Sequence, residues 1–95
     1  MNFGDALCAL KDGRMVQRTG WNGKGMFLYL VEGSMVPVEM LRGSCYDAVK
    51  FTGALEGAHQ EICWHIDMKA ADGSIVIGWL ASQTDMLAED WQVVE

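Results

Sequence analysis

The residues best suited to chemistry lie in the stretch Trp79-Leu-Ala-Ser-Gln-Thr-Asp-Met-Leu-Ala-Glu-Asp-Trp91. Two indoles bracket a Ser82-Gln83-Thr84-Asp85 turn that reads as the start of a short helix. Indole faces stack on flat rings, and the hydroxyl, amide and carboxylate groups beside them can meet a base edge or a ribose. Bond breaking fits less well. Ser82 and Thr84 have no histidine near them in sequence to activate a hydroxyl. Asp85, Glu89 and Asp90 could supply paired carboxylates for acid–base work, and positions 85 and 89 share a helix face. An acidic residue near a helix N-terminus more often answers the helix dipole, and Asp90 can equally cap or bind a neighbouring backbone amide.

Two further clusters carry candidate chemistry. Gly20-Trp-Asn-Gly-Lys-Gly25 has three glycines in six residues. Its amides could cradle a phosphate, but a strand follows it where phosphate-binding loops are followed by a helix. On spacing alone a tight turn is the stronger reading. Trp21 and Asn22 add a stacking face and a two-way hydrogen-bonding group at the tip. His65 and Asp67 share one strand face, but two ligands are too few for zinc, and His59 and Cys63 fall out of register. A solvated strand face or the polar edge of a pocket is expected there, with no metal and no other cofactor.

The elements that must position these groups are legible in the periodicity. Asn2 can cap a helix over residues 3–12, with Phe3, Ala6, Leu7 and Leu10 at helical spacing and Gly13 as its stop. Residues 15–19 and 26–31 read as strands. Trp64, Ile66 and Met68 alternate with His65, Asp67 and Lys69, as in a strand with one buried face. Asp72-Gly73 marks a hairpin turn, returning as a partner strand over 74–80. A short helix over 82–89, capped by Ser82 or Thr84, precedes a last strand from Trp91 to Val94. Residues 33–62 read as a loop-rich insertion with one short helix or strand. The sum is a single compact α+β domain: an N-terminal helix on a mostly antiparallel sheet, with a short helix before the last strand.

Composition narrows the function. A chain of 95 residues buries a modest core, and with half its residues apolar some of that surface can face another subunit. The formal charge is −6, which argues against binding nucleic-acid polymers. Residues 1–25 carry four basic side chains against two acidic ones, whereas residues 26–95 carry three against eleven. An anionic ligand should therefore find its countercharge in the N-terminal segment, where Arg18 and Lys24 are the candidates for a pyrophosphate. Cys8, Cys45 and Cys63 are odd in number and lack metal or redox spacing, which fits reduced thiols. Neither a signal peptide nor an apolar run of membrane-spanning length is visible.

The Asn2-Phe-Gly-Asp-Ala-Leu start, the Gly20-Trp-Asn-Gly-Lys-Gly-Met-Phe-Leu block, the His65-Ile-Asp-Met-Lys strand and the Trp79-to-Trp91 ending occur in that order. Together they resemble the second Thoeris anti-defence family of phage and prophage proteins, over about two thirds of the chain. The resemblance implies a non-enzymatic sponge in the host cytoplasm. Such a protein binds a cyclic ADP-ribose isomer made by a TIR-domain enzyme and keeps it intact, so the immune effector stays silent. It also implies a homotetramer with pockets between subunits, and in some relatives a separate site for cyclic dinucleotides. Within the family-like blocks, Trp21, Phe27, Ser82, Gln83 and Asp90 are the leading ligand-binding candidates. Arg18, Asn22, Lys24, Thr84 and Asp85 complete the set. A phage protein-interaction module and a nucleotide-signal hydrolase are the competing readings.

Overall fold

The computed structural model describes residues 1–21 and 24–94. The chain forms two compact units: one from residues 1–31 and 65–95, the other from residues 32–64.

The first unit begins with helix α1 (Phe3–Lys11). The Asp5 amide donates to Asn2 Oδ1 at 2.8 Å, and the Asn2 amide donates back to Asp5 Oδ2 at 3.3 Å. This reciprocal cap satisfies donors that a helix start otherwise leaves open. Gly13, at φ +84°, turns the chain out of the helix, with its amide on Leu10 O. Five strands follow in the same unit: β1 (Val16–Arg18), β2 (Phe27–Val31), β5 (His65–Lys69), β6 (Ile75–Val76) and β7 (Trp91–Val93). Their order in the sheet is β6-β5-β2-β1-β7, and each pairing is antiparallel. The fold is α+β. No helix among the described residues is long and apolar enough to cross a membrane.

Strand alternation assigns the two faces of this sheet. Val16 lies opposite both Leu28 and Val93, Leu30 opposite Ile66, and Leu28 opposite Met68. These side chains share the face covered by Ala6 and Leu10 of α1. Val16, Leu28, Leu10 and Trp91 are fully buried there, each contributing about 2–3 kcal/mol by leaving water. Phe27 and Tyr29 alternate with Leu28 and so occupy the opposite face, their ring centroids 6.4 Å apart.

Three sequence expectations change in this unit, one being the helix expected over 82–89, which spans only Gln83–Met86. The hairpin at Asp72-Gly73 forms with Gly73 at φ +91° and the Ala70 amide on Ser74 O. Its return strand, however, spans two residues instead of 74–80. Gly78 takes φ +77° and gives its amide to the Asp67 carboxylate, so the ladder stops at Val76. Asp67, expected on a solvated strand face or at the polar edge of a pocket, is 3% exposed.

The second unit holds β3 (Ser34–Pro37), a 3₁₀ turn (Val38–Met40), helix α2 (Gly43–Phe51) and β4 (His59–Ile62). Strands β3 and β4 pair antiparallel, with Ser34 opposite Ile62 and Pro37 opposite His59. This segment is more regular than the sequence's glycines indicated. They fall at the edges of elements: Gly43 opens α2 while Gly53 and Gly57 lie in turns, all with positive φ, which leaves two turns of helix and both strands uninterrupted. Val38 is its buried hydrophobic residue.

Candidate ligand site

Arg18 ends β1 directly opposite Trp91 of β7. Its Nη1 donates to Asp85 Oδ1 at 2.7 Å, while Nε donates to Asp90 Oδ1 at 2.8 Å. The same Asp90 carboxylate accepts the Gly20 amide at 2.7 Å and the Thr19 hydroxyl at 3.2 Å. Gly20 makes this approach possible, because a Cβ there would sit 2.7 Å from Asp90 Oδ2 and 3.1 Å from Arg18 Nη2. The first amide of the glycine-rich loop thus already binds an anion, and that anion is the protein's own Asp90.

Three tryptophans stand against this ionic cluster. Trp91 is 2% exposed, and its Nε1 donates to Asp85 O at 2.9 Å. Trp21 meets it edge-on, with centroids 5.3 Å apart and planes at 78°. Trp79 meets it at 6.3 Å and 80°, and Trp21 and Trp79 are 6.3 Å apart at 69°. Edge-to-face pairs of this kind add about 0.5–1.5 kcal/mol each beyond burial. Trp21 and Trp79 remain half-buried, and the Trp21 Nε1 reaches Asp85 Oδ1 at 3.4 Å.

Helix α3 (Gln83–Met86) delivers Asp85 to this cluster. Ser82 caps it: the Asp85 amide donates to Ser82 Oγ at 3.1 Å, and that hydroxyl donates to Asp85 Oδ2 at 2.9 Å. Ser82, Gln83 and Thr84 are exposed.

The electrostatics follow from these bonds. The Arg18 bond holds the Asp90 carboxyl down at about 2 against the cost of desolvation, helped by the Gly20 amide and the Thr19 hydroxyl. Burial alone would raise Asp85, but hydrogen bonds from Arg18, Ser82 and Trp21 together outweigh it and leave the carboxyl below its ordinary range. Arg18 is raised in turn, first by Asp90 and then by Asp85. Both carboxylates are therefore fixed as anions and fully engaged. Neither is poised to take a proton near neutral pH.

The structure brings Arg18, Trp21, Ser82, Asp85 and Asp90 into one network. Lys24 lies exposed on the loop beyond Trp21, and Asn22 lies outside the described residues. Phe27 occupies the sheet face opposite the indoles. No group of three or more His, Cys, Asp or Glu among the described residues converges as for a metal.

Other groups escaped the sequence reading. Asp67 accepts from Gly78 and pairs with His65. Its cross-strand partner is Tyr29, within the continuous apolar run of residues 26–31. The second unit also holds two open cavities. One, of about 340 Å³, lies at the start of α2 between Glu39, Leu41, Arg42, Gly43, Tyr46 and Asp47. The other, of about 310 Å³, lies beside Trp64, Glu61 and Met35. Trp64, expected on the buried face with Ile66, is 59% exposed and rests against Gly33. A Cβ at Gly33 would come within 2.7 Å of the indole, so only glycine admits that arrangement.

The indoles of this α+β fold are thus braced by charge that is neutralised internally. Residues 1–94 match the Thoeris anti-defense 2-like domain. The chain is also similar to Thoeris anti-defense 2 of Bacillus phage SP01, with 39% identity over 95 residues, covering 99% of this chain and 94% of that protein. The protein belongs to the Thoeris anti-defense 2-like family.

Proposed function

We propose that this chain is a phage anti-defence protein that sequesters a cyclic ADP-ribose isomer in the host cytoplasm and leaves it uncleaved. The observation that carries this reading is the engagement of the carboxylates beside the tryptophans. Asp85 and Asp90 are spent on Arg18, Gly20, Thr19 and Ser82. What remains for a ligand is half-exposed indole and the polar groups of Ser82, Gln83 and Thr84, which bind without activating water.

In this reading Trp21 stacks on the base, Ser82, Gln83 and Thr84 meet ribose hydroxyls, and Lys24 meets the pyrophosphate. Arg18, Asp85 and Asp90 hold the frame. Stacking contributes about 1–3 kcal/mol per base. Competing with a receptor at nanomolar level requires about −12 kcal/mol. One protomer's exposed groups fall short of that, which favours a pocket completed by a second subunit. The exposed apolar side chains of Ile75, Val76, Ile77 and Leu80 are suited to such an interface within a homotetramer. Cyclic dinucleotides are assigned a separate site, as the family resemblance implies.

The test is a thermal-shift screen against cyclic ADP-ribose isomers and cyclic dinucleotides. Heat denaturation and mass spectrometry of the released ligand complete it. Sequestration raises the melting temperature by mass action and returns the ligand intact. Hydrolysed ligand would point to an enzyme. A flat response accompanied by a co-purifying host protein would point to a protein-interaction module.

A further inference from the structure

Asp67 is the one buried charged side chain among the described residues, and the Arg18 network does not use it. Its Oδ1 accepts the Gly78 amide at 2.9 Å and lies 2.7 Å from His65 Nδ1. One residue further on, the Trp79 amide donates to Ile66 O at 2.7 Å. Beyond the last paired residue of β6, these two bonds tie the returning chain to β5. Gly78 adopts φ +77° at this step, so backbone alternation does not set the direction of Trp79. The anchoring does.

We infer that Asp67, oriented by His65, is a positioning residue that holds the Gly78–Trp79 step and thereby aims the Trp79 indole at the edge of the ligand site. Burying a carboxylate is unfavourable unless its hydrogen bonds are good, and a neutral residue would fill the same strand position at lower cost. The charged acceptor strengthens its hold on the Gly78 amide. The segment from Gly78 to Asp85 is then clamped at both ends, by Asp67 at its start and by Arg18 at its finish. Between the clamps lie Trp79 and the exposed Ser82, Gln83 and Thr84. The effect on ligand affinity rests on the proposed function; the effect on the Gly78–Trp79 step does not.

The experiment compares the full-length wild type with Asp67→Ala, Asp67→Asn and His65→Gln. Residue-resolved amide hydrogen exchange is measured without ligand, and affinity is measured by titration with a cyclic ADP-ribose isomer. Asp67→Ala is expected to speed exchange at Gly78 and Trp79 by about tenfold or more, the weight of one hydrogen bond to a charged group. Thr19 and Gly20, bonded to Asp90, stay unchanged. Affinity falls in parallel. Asp67→Asn keeps a carbonyl acceptor for Gly78 and stays within about threefold of wild type on both readouts. His65→Gln, which leaves the carboxylate in place, shows an intermediate local loosening and serves in place of Asp67→Ala if that variant does not fold.

Unchanged exchange at Gly78 and Trp79 in the folded variants would overturn the inference. So would uniform acceleration extending to Leu28 and Leu30, the mark of a general stability role. If the local exchange result holds while the wild type takes up no messenger, the anchoring stands and the ligand reading falls.

Discussion

The Arg18 network and the 32–64 unit are built on opposite principles. In the network the bonded partners are distant in sequence: Arg18 reaches Asp85 and Asp90 across 67 and 72 positions, and Trp21 reaches Asp85 across 64. The network sits against a buried cluster of Ala6, Leu10, Val16, Leu28 and Trp91. In residues 32–64 the side-chain bonds are mostly local, the longest joining the Gly57 amide to Glu39 across 18 positions. Thr52 closes on Val49, Lys50 on Ala54, and Tyr46 on Glu56. Val38 is buried there, while Met35, Met40, Phe51, Leu55 and Trp64 are exposed. One region is over-determined by long-range packing, and the other leaves its apolar side chains available. Mutation should therefore separate them sharply.

Trp91→Ala should have the largest effect. It empties a fully buried indole site and removes the donor to Asp85 O. Truncations of this kind cost about 3–5 kcal/mol, comparable to the whole stability of a small domain. Urea denaturation followed by circular dichroism should show the cooperative transition lost or moved close to zero denaturant. Trp91→Phe keeps most of the packing and should lose about 1–2 kcal/mol, mainly from the missing N–H donor. Equal losses for the two would mean that the ring's volume contributes little, contrary to the comparison.

Acid should act on the same region next most strongly. Asp90 titrates at about 2 when folded, against an ordinary 3.8. A carboxyl with a depressed folded value adds stability that is fully present above its unfolded value and disappears as pH falls through the folded one. Asp90's contribution should thus be complete above 3.8 and lost on the way down to about 2. Urea midpoints measured across that window should fall steeply for the wild type and less steeply for Asp90→Asn. Parallel slopes would show that Asp90 is not held by Arg18 in solution.

Legibility divides along the same line. Local signals were readable: the Asn2–Asp5 cap, the Gly13 stop, the Ser82 cap and the antiparallel character of the sheet. Each depends on residues within a few positions or on simple alternation. The pairing of Arg18 was not readable. A lone arginine in a basic segment looks like a ligand for an anion until the fold brings two aspartates to it. Asp67 misled for a related reason. Alternation with Ile66 and Met68 assigns it to the polar face, and the returning Gly78 amide together with His65 Nδ1 makes its burial tolerable. Within 33–62, glycine content obscured the helix because the glycines sit at the edges of elements.

The smallest effect should come from Phe51→Ser. Phe51 closes α2 and is 92% exposed, so truncating its ring removes almost no burial from a single chain. Phenylalanine and serine have similar helix propensities, and surface substitutions of this kind usually stay within about 0.5 kcal/mol. A thermal melt at low micromolar concentration should be nearly superimposable on the wild type's. The same pair measured over a hundredfold range of concentration sharpens the comparison. If Phe51 is covered in an assembly, the wild-type melting temperature climbs with concentration while that of the serine variant climbs less, because mass action stabilises only the chain that buries the ring. Coincident melts throughout would leave Phe51 as solvated surface.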